Sequence, residues 1–589
     1  MGRARLIRLL LALTVLATAG WLLRDYITDD TYIHLRYARN LLERGEFAFN
    51  PGDSTYGATS PGWIFGLALL LKLGLAPATA AWVAGALSGL LVILLVDILM
   101  TRLTFPNLWK ATGLVVIAAD AWFLRWTFSG METPLATALL LVLLWPLVSG
   151  RDMAWGRGRE PLWQRYLAWG VAAGMVGLVR PEFLVVAPLA LPWLLWFEYF
   201  RVGATGSLKD RGRARPHAPL LAAVVGWLLV TVPWFLYAWQ HFGRVFPGTA
   251  TAKSQSLTFS FFDLLPNLMR SLQSLAATQG LLWLTACVLV AMVLVRNSVS
   301  EHDDEAPWFV PSPTVPDEPE LPAAGAGPWS VWGPVAMVGI AATWTLALLG
   351  GYAAGQVWII SRYVSPLSPV LILAMSVVAE WLVVGAAPSR RDRKWYRVVI
   401  GTGAALTLVT NIWLLTVHVV PHARQLRTGI DTCYLEMGQW LRENTPEDAV
   451  VAALDIGAVG WASERRVLDL MGLVSPEIME LGRSMGFQEM VESGVWLRPA
   501  TGKRPTWLVD RCEGAPRWEG RTVNGITFEL VDTCTMQGVG LRESQPWTVA
   551  LYRLVSGESR VRSSAGGESS ASPSRFTTTT LTSSAKGRS

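Results

Sequence analysis

The stretch Tyr26-Ile-Thr-Asp-Asp-Thr-Tyr-Ile-His-Leu-Arg-Tyr-Ala-Arg-Asn40 decides how the rest of the chain is interpreted. Its two adjacent carboxylates, Asp29 and Asp30, come directly after the hydrophobic segment that opens the chain. The apolar and aromatic residues that follow recur at helical spacing. Two roles fit this position. Either acid can cap the helix that follows, or the pair belongs to a functional site at the mouth of a membrane span.

The composition favours a membrane protein. Of the 589 residues, 52% are hydrophobic and 16% are charged, whereas a soluble protein carries roughly 25% charged residues. The 30 Trp residues suit a chain with long membrane–water boundaries, where indole rings settle. The net charge of +6 is not a nucleic-acid signal, because the basic residues form short clusters between apolar spans, which is how membrane topology is encoded.

The hydrophobic pattern predicts an all-α polytopic membrane bundle of about 11 transmembrane helices. The first span covers roughly residues 6–24 and is interpreted as uncleaved, because no small-residue cleavage site follows it. The other predicted spans lie near 78–101, 111–128, 133–149, 164–180, 183–199, 218–238, 279–296, 331–351, 364–385 and 397–418.

The apolar run 61–77 is short and contains Lys72. The basic clusters 151–165, 201–215 and 390–397 should all be cytoplasmic, and eleven crossings allow this only if 61–77 does not cross. We therefore expect a re-entrant or interfacial helix that packs against the loop with the two Asp residues. The alternative is a twelfth crossing, with one basic cluster on the wrong side.

This topology predicts three domains. Residues 1–424 form the transmembrane module, which has a first outer loop at 25–60, a second at 239–278 and a Pro- and acid-rich cytoplasmic linker at 297–328 with the composition of disorder. Residues 425–556 form an extracytoplasmic α/β domain. Residues 557–589 form a disordered tail rich in Ser and Thr.

Short apolar runs predict the sheet of the C-terminal domain. They begin at residues 449, 466, 506, 527 and 549, and a helix is expected at 437–444. Cys512 and Cys534 flank the run at 527–531. Outside the cytoplasm a disulfide between them is a reasonable expectation, and a reduced pair is the alternative.

Several charged residues collect on the predicted outer face. Each has an ordinary structural explanation: Glu132 can cap the next helix, Arg180 can pair with Glu182, Lys253 can snorkel to the interface, and Arg362 can stack on Tyr363. Together with the Asp pair, they favour a site for an anionic ligand. Cations can hold a phosphate that leaves, and a carboxylate can take the proton of an acceptor hydroxyl.

The sequence resembles a known family of enzymes. The stretch 29–40 with Phe49-Asn-Pro-Gly-Asp53 is similar to the first outer loop of bacterial GT-C glycosyltransferases, most of all the group that contains the mycobacterial terminal arabinofuranosyltransferase. Further matching motifs follow in family order: Ser129-Gly-Met-Glu-Thr-Pro-Leu135, Val179-Arg-Pro-Glu182, Phe242-Gly-Arg-Val-Phe-Pro-Gly-Thr-Ala-Thr-Ala-Lys253, Ser361-Arg-Tyr363, Asp455-Ile-Gly-Ala-Val-Gly460 and Leu468-Asp-Leu-Met-Gly-Leu473.

The resemblance implies an enzyme that moves a hexosyl or pentosyl unit from a polyprenyl-phosphate-linked donor, with inversion, to a glycan, lipid or protein of the cell envelope. By motif position the catalytic acid is Asp29 or Asp30, and Glu132 is a second acid. Candidate phosphate ligands are Lys253, Arg362 and Arg180. Candidate substrate contacts are His34, Arg36, Tyr37, Glu182 and Tyr363. No cofactor is expected; a divalent ion, if one is used, would be held by Asp29, Asp30 and Glu132.

The sequence thus predicts a glycosyltransferase of the bacterial cytoplasmic membrane with its active site on the outer side and no nucleic-acid partner. The competing class is a transporter or flippase of a lipid-linked saccharide. Such a protein should show two repeated halves with broken helices, and the sequence has no internal symmetry of that kind. A scaffold without catalytic function would require that the outer acids be dispensable.

Overall fold

A computed structural model describes residues 2–53, 55–103, 107–148, 162–205, 217–248, 260–300, 329–385, 390–499, 502–537, 541 and 545–556. The chain divides into two compact units, Met1–Arg427 and Thr428–Ser589. The predicted linker, apart from 297–300, and the predicted tail lie outside the described residues.

The first unit is helical. Its helices are α1 (Arg3–Leu22), α2 (Asp29–Arg44), α3 (Pro61–Lys72), α4 (Pro77–Arg102), α5 (Asn107–Ala118), α6 (Ala121–Thr127), α7 (Thr133–Leu143), α8 (Leu162–Val179), α9 (Val186–Thr205), α10 (His217–Phe242), α11 (Phe261–Ser300), α12 (Trp329–Ala354), α13 (Ser361–Val364), α14 (Ser368–Gly385), α15 (Arg390–Trp413) and α16 (Val420–Gly429).

Eight helical segments in the described ranges are long and apolar enough to cross a membrane. The other predicted spans coincide with α5 and α6, with α7, and with α8. The polytopic all-α bundle is therefore confirmed, and the chain is a multi-pass membrane protein.

Helix α3 is too short to cross. Its 12 residues extend about 18 Å at 1.5 Å per residue, less than the ~30 Å hydrocarbon core. Its first turn reaches Gly130, because Trp63 Nε1 donates to the Gly130 carbonyl at 3.1 Å. The next helix also starts there, since Ala81 Cβ lies against the same glycine. The chain therefore returns to the end from which it left, in agreement with the prediction for 61–77.

A long helix extends into the second predicted outer loop, 239–278. Helix α11 begins at Phe261 and runs for 40 residues. Its first turns carry polar residues: the Asn267 side-chain amide donates to the Asp263 backbone carbonyl at 3.3 Å, and Arg270 donates to the Asn267 side-chain oxygen at 3.1 Å. The helix therefore continues beyond the predicted span 279–296 as a polar extension, which hydropathy alone does not detect.

A buried acid interrupts the predicted span 111–128. Asp120 is 2% exposed and caps α6 by accepting from the backbone N–H groups of Trp122 and Phe123 at 3.0 and 2.9 Å. Ser368 donates its hydroxyl to the other carboxylate oxygen at 2.6 Å. The cap gives partners to backbone N–H groups that the start of a new helix would otherwise leave unpaired. Helix α6 then leads directly into the loop that begins at Ser129.

The second unit contains a six-stranded mixed sheet. Its strands are β1 (Val450–Ala453), β2 (Arg466–Asp469), β3 (Trp507–Glu513), β4 (Thr522–Val523), β5 (Ile526–Met536) and β6 (Trp547–Ser556), in the order β2-β1-β3-β6-β5-β4. Strand β1 pairs in parallel with β2 and β3, and the remaining pairs are antiparallel. The helices are α17 (Glu436–Asn444), α18 (Gly457–Ser463), α19 (Pro476–Met485) and α20 (Phe487–Ser493). The predicted α/β fold is confirmed.

The predicted disulfide between Cys512 and Cys534 is wrong. Cys534 is bonded to Cys433, with Cα atoms 5.4 Å apart, and Cys512 is buried and free. The reason is the strand order. Cys512 lies on β3 and Cys534 on β5, and β6 runs between them, which separates the two residues by roughly 9–10 Å. A disulfide requires Cα atoms about 4.4–6.8 Å apart.

We predict that Cys534→Ser destabilises the second unit by roughly 2–5 kcal/mol, because the bond closes a long loop of 101 residues in sequence separation. Disulfide mapping by mass spectrometry should find Cys433 joined to Cys534 in the wild type. The control Cys512→Ser should keep that bond. A Cys512–Cys534 peptide from the folded protein would contradict the assignment.

The motif Leu468-Asp-Leu-Met-Gly-Leu473 forms a loop built around a buried carboxylate. Asp469 ends β2, is fully buried, and accepts from the N–H groups of Met471 at 2.8 Å and Val474 at 3.0 Å. Gly472 has φ +76°, which a residue with a Cβ adopts only at a cost. Burial raises the pKa of Asp469 to about 6, although the backbone hydrogen bonds oppose this.

The sign of the pH effect follows from that pKa. Between pH 4 and 6 the unfolded chain has released the proton of Asp469 while the folded chain retains it, so the free energy of unfolding falls as pH rises and levels off above 6. We expect a decrease of about 3 kcal/mol across this window, measured by hydrogen exchange of the β1 and β2 amides after correction for intrinsic rates. Asp469→Asn should flatten the slope. An unchanged slope would assign the effect to other groups.

Candidate active site

Four segments of the first unit meet at one end of the bundle. They are the first turn of α2, the loop from Ser129 to Glu132, the turn at 180–182 after α8, and the start of α13 at residue 361. Ion pairs and hydrogen bonds join each segment to another. Most of the sequence-predicted acids and bases lie on these segments.

The Asp pair does not cap its helix. Thr28 occupies the N-cap position of α2, and Asp29 and Asp30 lie in the first turn. An anion there is stabilised by the positive end of the helix dipole. The start of the helix is held in place by the next residue, Thr31, whose Oγ1 donates to the Ser129 carbonyl at 2.9 Å. Gly130 is required beside it, since a Cβ there would lie 2.5 Å from the Thr31 methyl group.

The first-loop acid and the distant arginine form a direct pair. Arg362 Nη1 lies 2.7 Å from Asp30 Oδ2, although 332 residues separate them in sequence. The arginine side chain is 9% exposed, whereas that of Asp30 is 43% exposed. The guanidinium also lies over the rings of Trp126 and Tyr363, at 5.9 and 5.5 Å from their centroids. The pair thus presents its carboxylate outward and keeps its cation inside.

A second arginine holds two carboxylates. Arg180 Nη2 and Nε both donate to Glu182 Oε1, at 2.6 and 2.8 Å, and Nη1 lies 3.4 Å from Glu132 Oε1. The same Nη1 donates to the Arg362 carbonyl at 3.2 Å. Tyr352 donates its hydroxyl to Glu182 at 3.3 Å. These contacts connect the Asp30–Arg362 pair to the Arg180 network through the backbone of Arg362.

Two charged side chains of the cluster keep unused bonding capacity. Among the described residues, Glu132 Oε2 and Arg362 Nε are buried and have no hydrogen-bond partner. A buried charged atom without a partner costs free energy, so a ligand that supplies a donor to Glu132 or an acceptor to Arg362 would recover it. Glu132 Oε2 is therefore available to a hydrogen-bond donor, and Arg362 Nε is available to an acceptor.

Tyr363 is placed between the two arginines. The guanidinium of Arg180 lies 5.4 Å from its ring centroid and that of Arg362 at 5.5 Å. Tyr352 packs edge-on against it at 5.5 Å. Tyr363 was predicted to contact substrate, whereas Tyr352 was not, because a tyrosine inside an apolar span carries no motif of its own. Trp126 was missed for the same reason, although it donates to Ser361 at 2.9 Å.

Three predicted substrate residues on α2 are buried. His34, Arg36 and Tyr37 are 5%, 2% and 0% exposed. Arg36 Nε donates to the Phe49 carbonyl at 2.8 Å, and Asn40, which sequence reasoning missed, donates to the same carbonyl at 3.0 Å. Tyr37 packs against Phe47 and Phe49. Arg36, Tyr37 and Asn40 hold the segment 47–49 against α2, so an influence of Arg36 or Tyr37 on substrate would act through the shape of that loop.

Lys253, the remaining predicted phosphate ligand, lies outside the described residues. The predicted metal ligands Asp29, Asp30 and Glu132 do not form a ligand set in the part of the chain that is described, where no group of three or more His, Cys, Asp or Glu residues comes together for a metal ion. Asp30 and Glu132 face arginines instead.

The fold agrees with that of a solved membrane protein. ArnT from Cupriavidus metallidurans, solved bound to undecaprenyl phosphate, aligns with 92% of this chain and 97% of its own, with a TM-score of 0.50 and 15% identity. Its apo form aligns over the same shares, with a TM-score of 0.51 and 14% identity. The likeness shows that this chain shares the fold of that protein.

Sequence comparison gives two further similarities. Residues 417–560 match a family described as a domain of unknown function (DUF8728). The terminal beta-(1->2)-arabinofuranosyltransferase of Mycobacterium tuberculosis (strain ATCC 25618 / H37Rv) is 29% identical over 262 residues, which are 42% of this chain and 39% of that protein. The match thus spans well under half of the curated relative. The resemblance to GT-C glycosyltransferases that the motifs indicated is confirmed.

We predict that Arg180→Met destabilises the first unit by roughly 3 kcal/mol, because it leaves the buried Glu132 and the partly buried Glu182 without their counter-ion. Thermal unfolding of the purified protein in detergent is the measurement. Arg180→Met combined with Glu182→Gln should recover part of this stability, and Arg44→Met, at the exposed end of α2, is the matched control. If Arg180→Met and Arg44→Met unfold at the same temperature, the network contributes nothing to stability.

Proposed function

We propose that this protein is an integral membrane glycosyltransferase that moves one sugar from a polyprenyl-phosphate-linked donor to an acceptor of the cell envelope. The observation that carries the proposal is the Asp30–Arg362 pair at 2.7 Å, which joins a first-loop acid to a buried cation within the GT-C architecture. ArnT in complex with undecaprenyl phosphate and the arabinofuranosyltransferase relative support the donor class and the reaction class.

The cationic half of the site suits the donor phosphate. Arg362 has a buried Nε without a partner among the described residues, and a guanidinium binds phosphate oxygens through directed, charge-assisted hydrogen bonds. We propose that Arg362 binds the phosphate and that Arg180 holds the backbone of Arg362 in place. Lys253 is a further candidate ligand of the phosphate. Apolar helices around the site give the prenyl chain an apolar path.

The acidic half suits the acceptor. Asp30 is engaged with the arginine that we assign to the phosphate, so we propose that Asp29, its neighbour in the first turn of α2, is the general base. Asp30 is then a positioning residue that fixes Arg362. Glu132, with a free buried oxygen, can accept a hydrogen bond from a sugar hydroxyl.

We propose that the reaction is a single nucleophilic displacement at the anomeric carbon of the donor sugar. The acceptor hydroxyl gives its proton to the carboxylate of Asp29 while its oxygen forms a bond to the anomeric carbon of the donor sugar. The bond between that carbon and the phosphate oxygen breaks, and polyprenyl phosphate leaves with the electron pair, stabilised by Arg362. Attack from the face opposite the phosphate inverts the anomeric centre. We place the site on the outer face of the cytoplasmic membrane and assign acceptor binding to the C-terminal domain.

The test compares the two acids by turnover. Purified protein supplied with labelled polyprenyl-phosphate sugars should release polyprenyl phosphate, and Asp29→Asn should lower kcat by about 10²- to 10⁴-fold. Asp30→Asn should keep kcat within about tenfold, because a positioning residue is removed rather than the base. The matched control is Glu43→Gln, at the exposed far end of the same helix.

Three outcomes would change this account. If Asp30→Asn is the variant that abolishes turnover, the roles of the two acids are exchanged. If both variants keep full turnover, the general-base mechanism is wrong. If no donor is consumed but a lipid-linked saccharide crosses the membrane of a reconstituted vesicle, the protein is a transporter.

A further inference from the structure

Two hydrogen bonds join helix α6 to the segment 361–368. Trp126, near the end of α6, donates its Nε1 to Ser361 Oγ at 2.9 Å. Asp120, the N-cap residue of α6, accepts from Ser368 Oγ at 2.6 Å. The earlier residue on one segment therefore meets the later residue on the other, so the two segments run in opposite directions and are tied at both ends. We call these two bonds the α6 clamp.

Arg362 lies inside the clamp. It directly follows Ser361, the first of the two bonded serines. Its guanidinium lies 5.9 Å from the ring centroid of Trp126, the same indole whose N–H makes the first bond. Its backbone carbonyl accepts from Arg180 at 3.2 Å. The position of this arginine therefore depends on α6 as well as on Arg180.

Both bonds of the clamp are shielded from water. Asp120 and Ser368 are each 2% exposed, and Trp126 and Ser361 are 4% and 7% exposed. A buried hydrogen bond cannot readily be exchanged for a bond to solvent, so its loss leaves an unsatisfied polar group. The clamp is therefore a stable constraint on the segment that it holds.

The clamp is also anchored to two long helices of the bundle. From α11, the Gln279 side-chain amide donates to Ser368 Oγ. From α15, Asn411 Oδ1 accepts from the Ala121 N–H at 2.8 Å, and the Asn411 amide donates to the Thr278 carbonyl at 2.8 Å. The start of α6 and the start of α14 are thus both fixed to the body of the bundle, and the clamp carries that reference to the segment with Arg362.

The same segment contains a serine outside the clamp. Ser365 lies between the two bonded serines and is 2% exposed, and its hydroxyl has no hydrogen-bond partner among the described residues. Removal of this hydroxyl breaks no bond, whereas removal of the Ser361 or Ser368 hydroxyl leaves a former partner unsatisfied. The three serines therefore allow the clamp to be distinguished from the general packing of the turn.

We propose that the α6 clamp positions Arg362 for the phosphate of the polyprenyl-linked donor. Asp120, Trp126 and the two bonded serines are then positioning residues, which act through the arginine without touching the substrate. A guanidinium binds phosphate through directed hydrogen bonds, and a misplacement of about 1 Å at such a group is costly. The inference rests on the proposed function, in which Arg362 binds the phosphate.

The affinity of the full-length protein for undecaprenyl phosphate tests the proposal. Isothermal titration calorimetry in detergent measures it without a donor sugar or an acceptor. Ser361→Ala and Ser368→Ala should each weaken the affinity by about fivefold, because the net contribution of one hydrogen bond corresponds to about this factor. Ser365→Ala is the matched control and should keep the affinity of the wild type. Arg362→Gln gives the loss expected when the phosphate ligand itself is removed.

A combined variant shows whether the serines act through the arginine. When Ser361→Ala and Ser368→Ala are added to Arg362→Gln, no further loss of affinity should follow, because residues that act through one another are not additive. A merely structural role would give losses that add. Thermal unfolding in the same detergent checks that each variant is folded at the temperature of the titration.

Three results would overturn the clamp proposal. These are wild-type affinity in both Ser361→Ala and Ser368→Ala, an equal loss in Ser365→Ala, and additive losses in the combined variant. With any of them, a loss of affinity in Arg362→Gln leaves the proposed transferase function standing. If Arg362→Gln itself keeps the affinity of the wild type, the phosphate role of this arginine in the proposed function is wrong, and the clamp proposal fails with it.

Discussion

Pairing of buried charge is the constraint on which the described part of the first unit depends. Arg180 and Arg362 lie at the end of an apolar bundle with less than a tenth of each side chain exposed, where an isolated charge would be costly. Three carboxylates from separate segments offset them: Asp30, Glu132 and Glu182. The pairs Asp30–Arg362 and Arg180–Glu132 join separate segments, and the hydrogen bonds from Arg180 to the Arg362 carbonyl and from Thr31 to the Ser129 carbonyl complete the candidate site.

The candidate site is rigid around its centre and open at one acid. The first turn of α2 is held by the hydrogen bond from Thr31 to the Ser129 carbonyl. The loop after α2 is held by the hydrogen bond from Arg36 to the Phe49 carbonyl, and Arg180 holds the turn after α8 through its ion pairs. Asp30, by contrast, is nearly half exposed. Preorganised charges beside the first turn of α2 suit a transfer between a bound phosphate ester and an incoming hydroxyl, with Asp29 as the proposed base and Asp30 as the residue that positions Arg362, and this is why we favour a transferase over a scaffold.

The sequence predicted some features of the site and could not predict others. The Asp pair, Glu132, Arg180, Glu182 and Arg362 were identified because charged residues at the ends of apolar spans stand out. Their pairing was only partly anticipated: Arg180 and Glu182 are close in sequence, whereas the pairing of Arg362 with Asp30 required the folded bundle. Tyr352 and Trp126 were missed because aromatic residues are common in membrane spans. Asp120 was missed because a single polar residue hardly changes the mean hydropathy of a span.

What the sequence by itself determined is the class of the molecule. Apolar runs of membrane-spanning length dictate a helical bundle, because backbone groups in lipid must bond within their own segment, and alternating apolar runs after residue 449 dictate a sheet. Only the tertiary structure decided which distant residues meet. Because β6 lies between β3 and β5, Cys534 is too far from Cys512 to bond to it and forms a disulfide with Cys433 instead. Hydrophobic periodicity specifies which face of an element is buried, but it holds no information on which neighbour covers that face, and pairings across hundreds of residues depend on that neighbour.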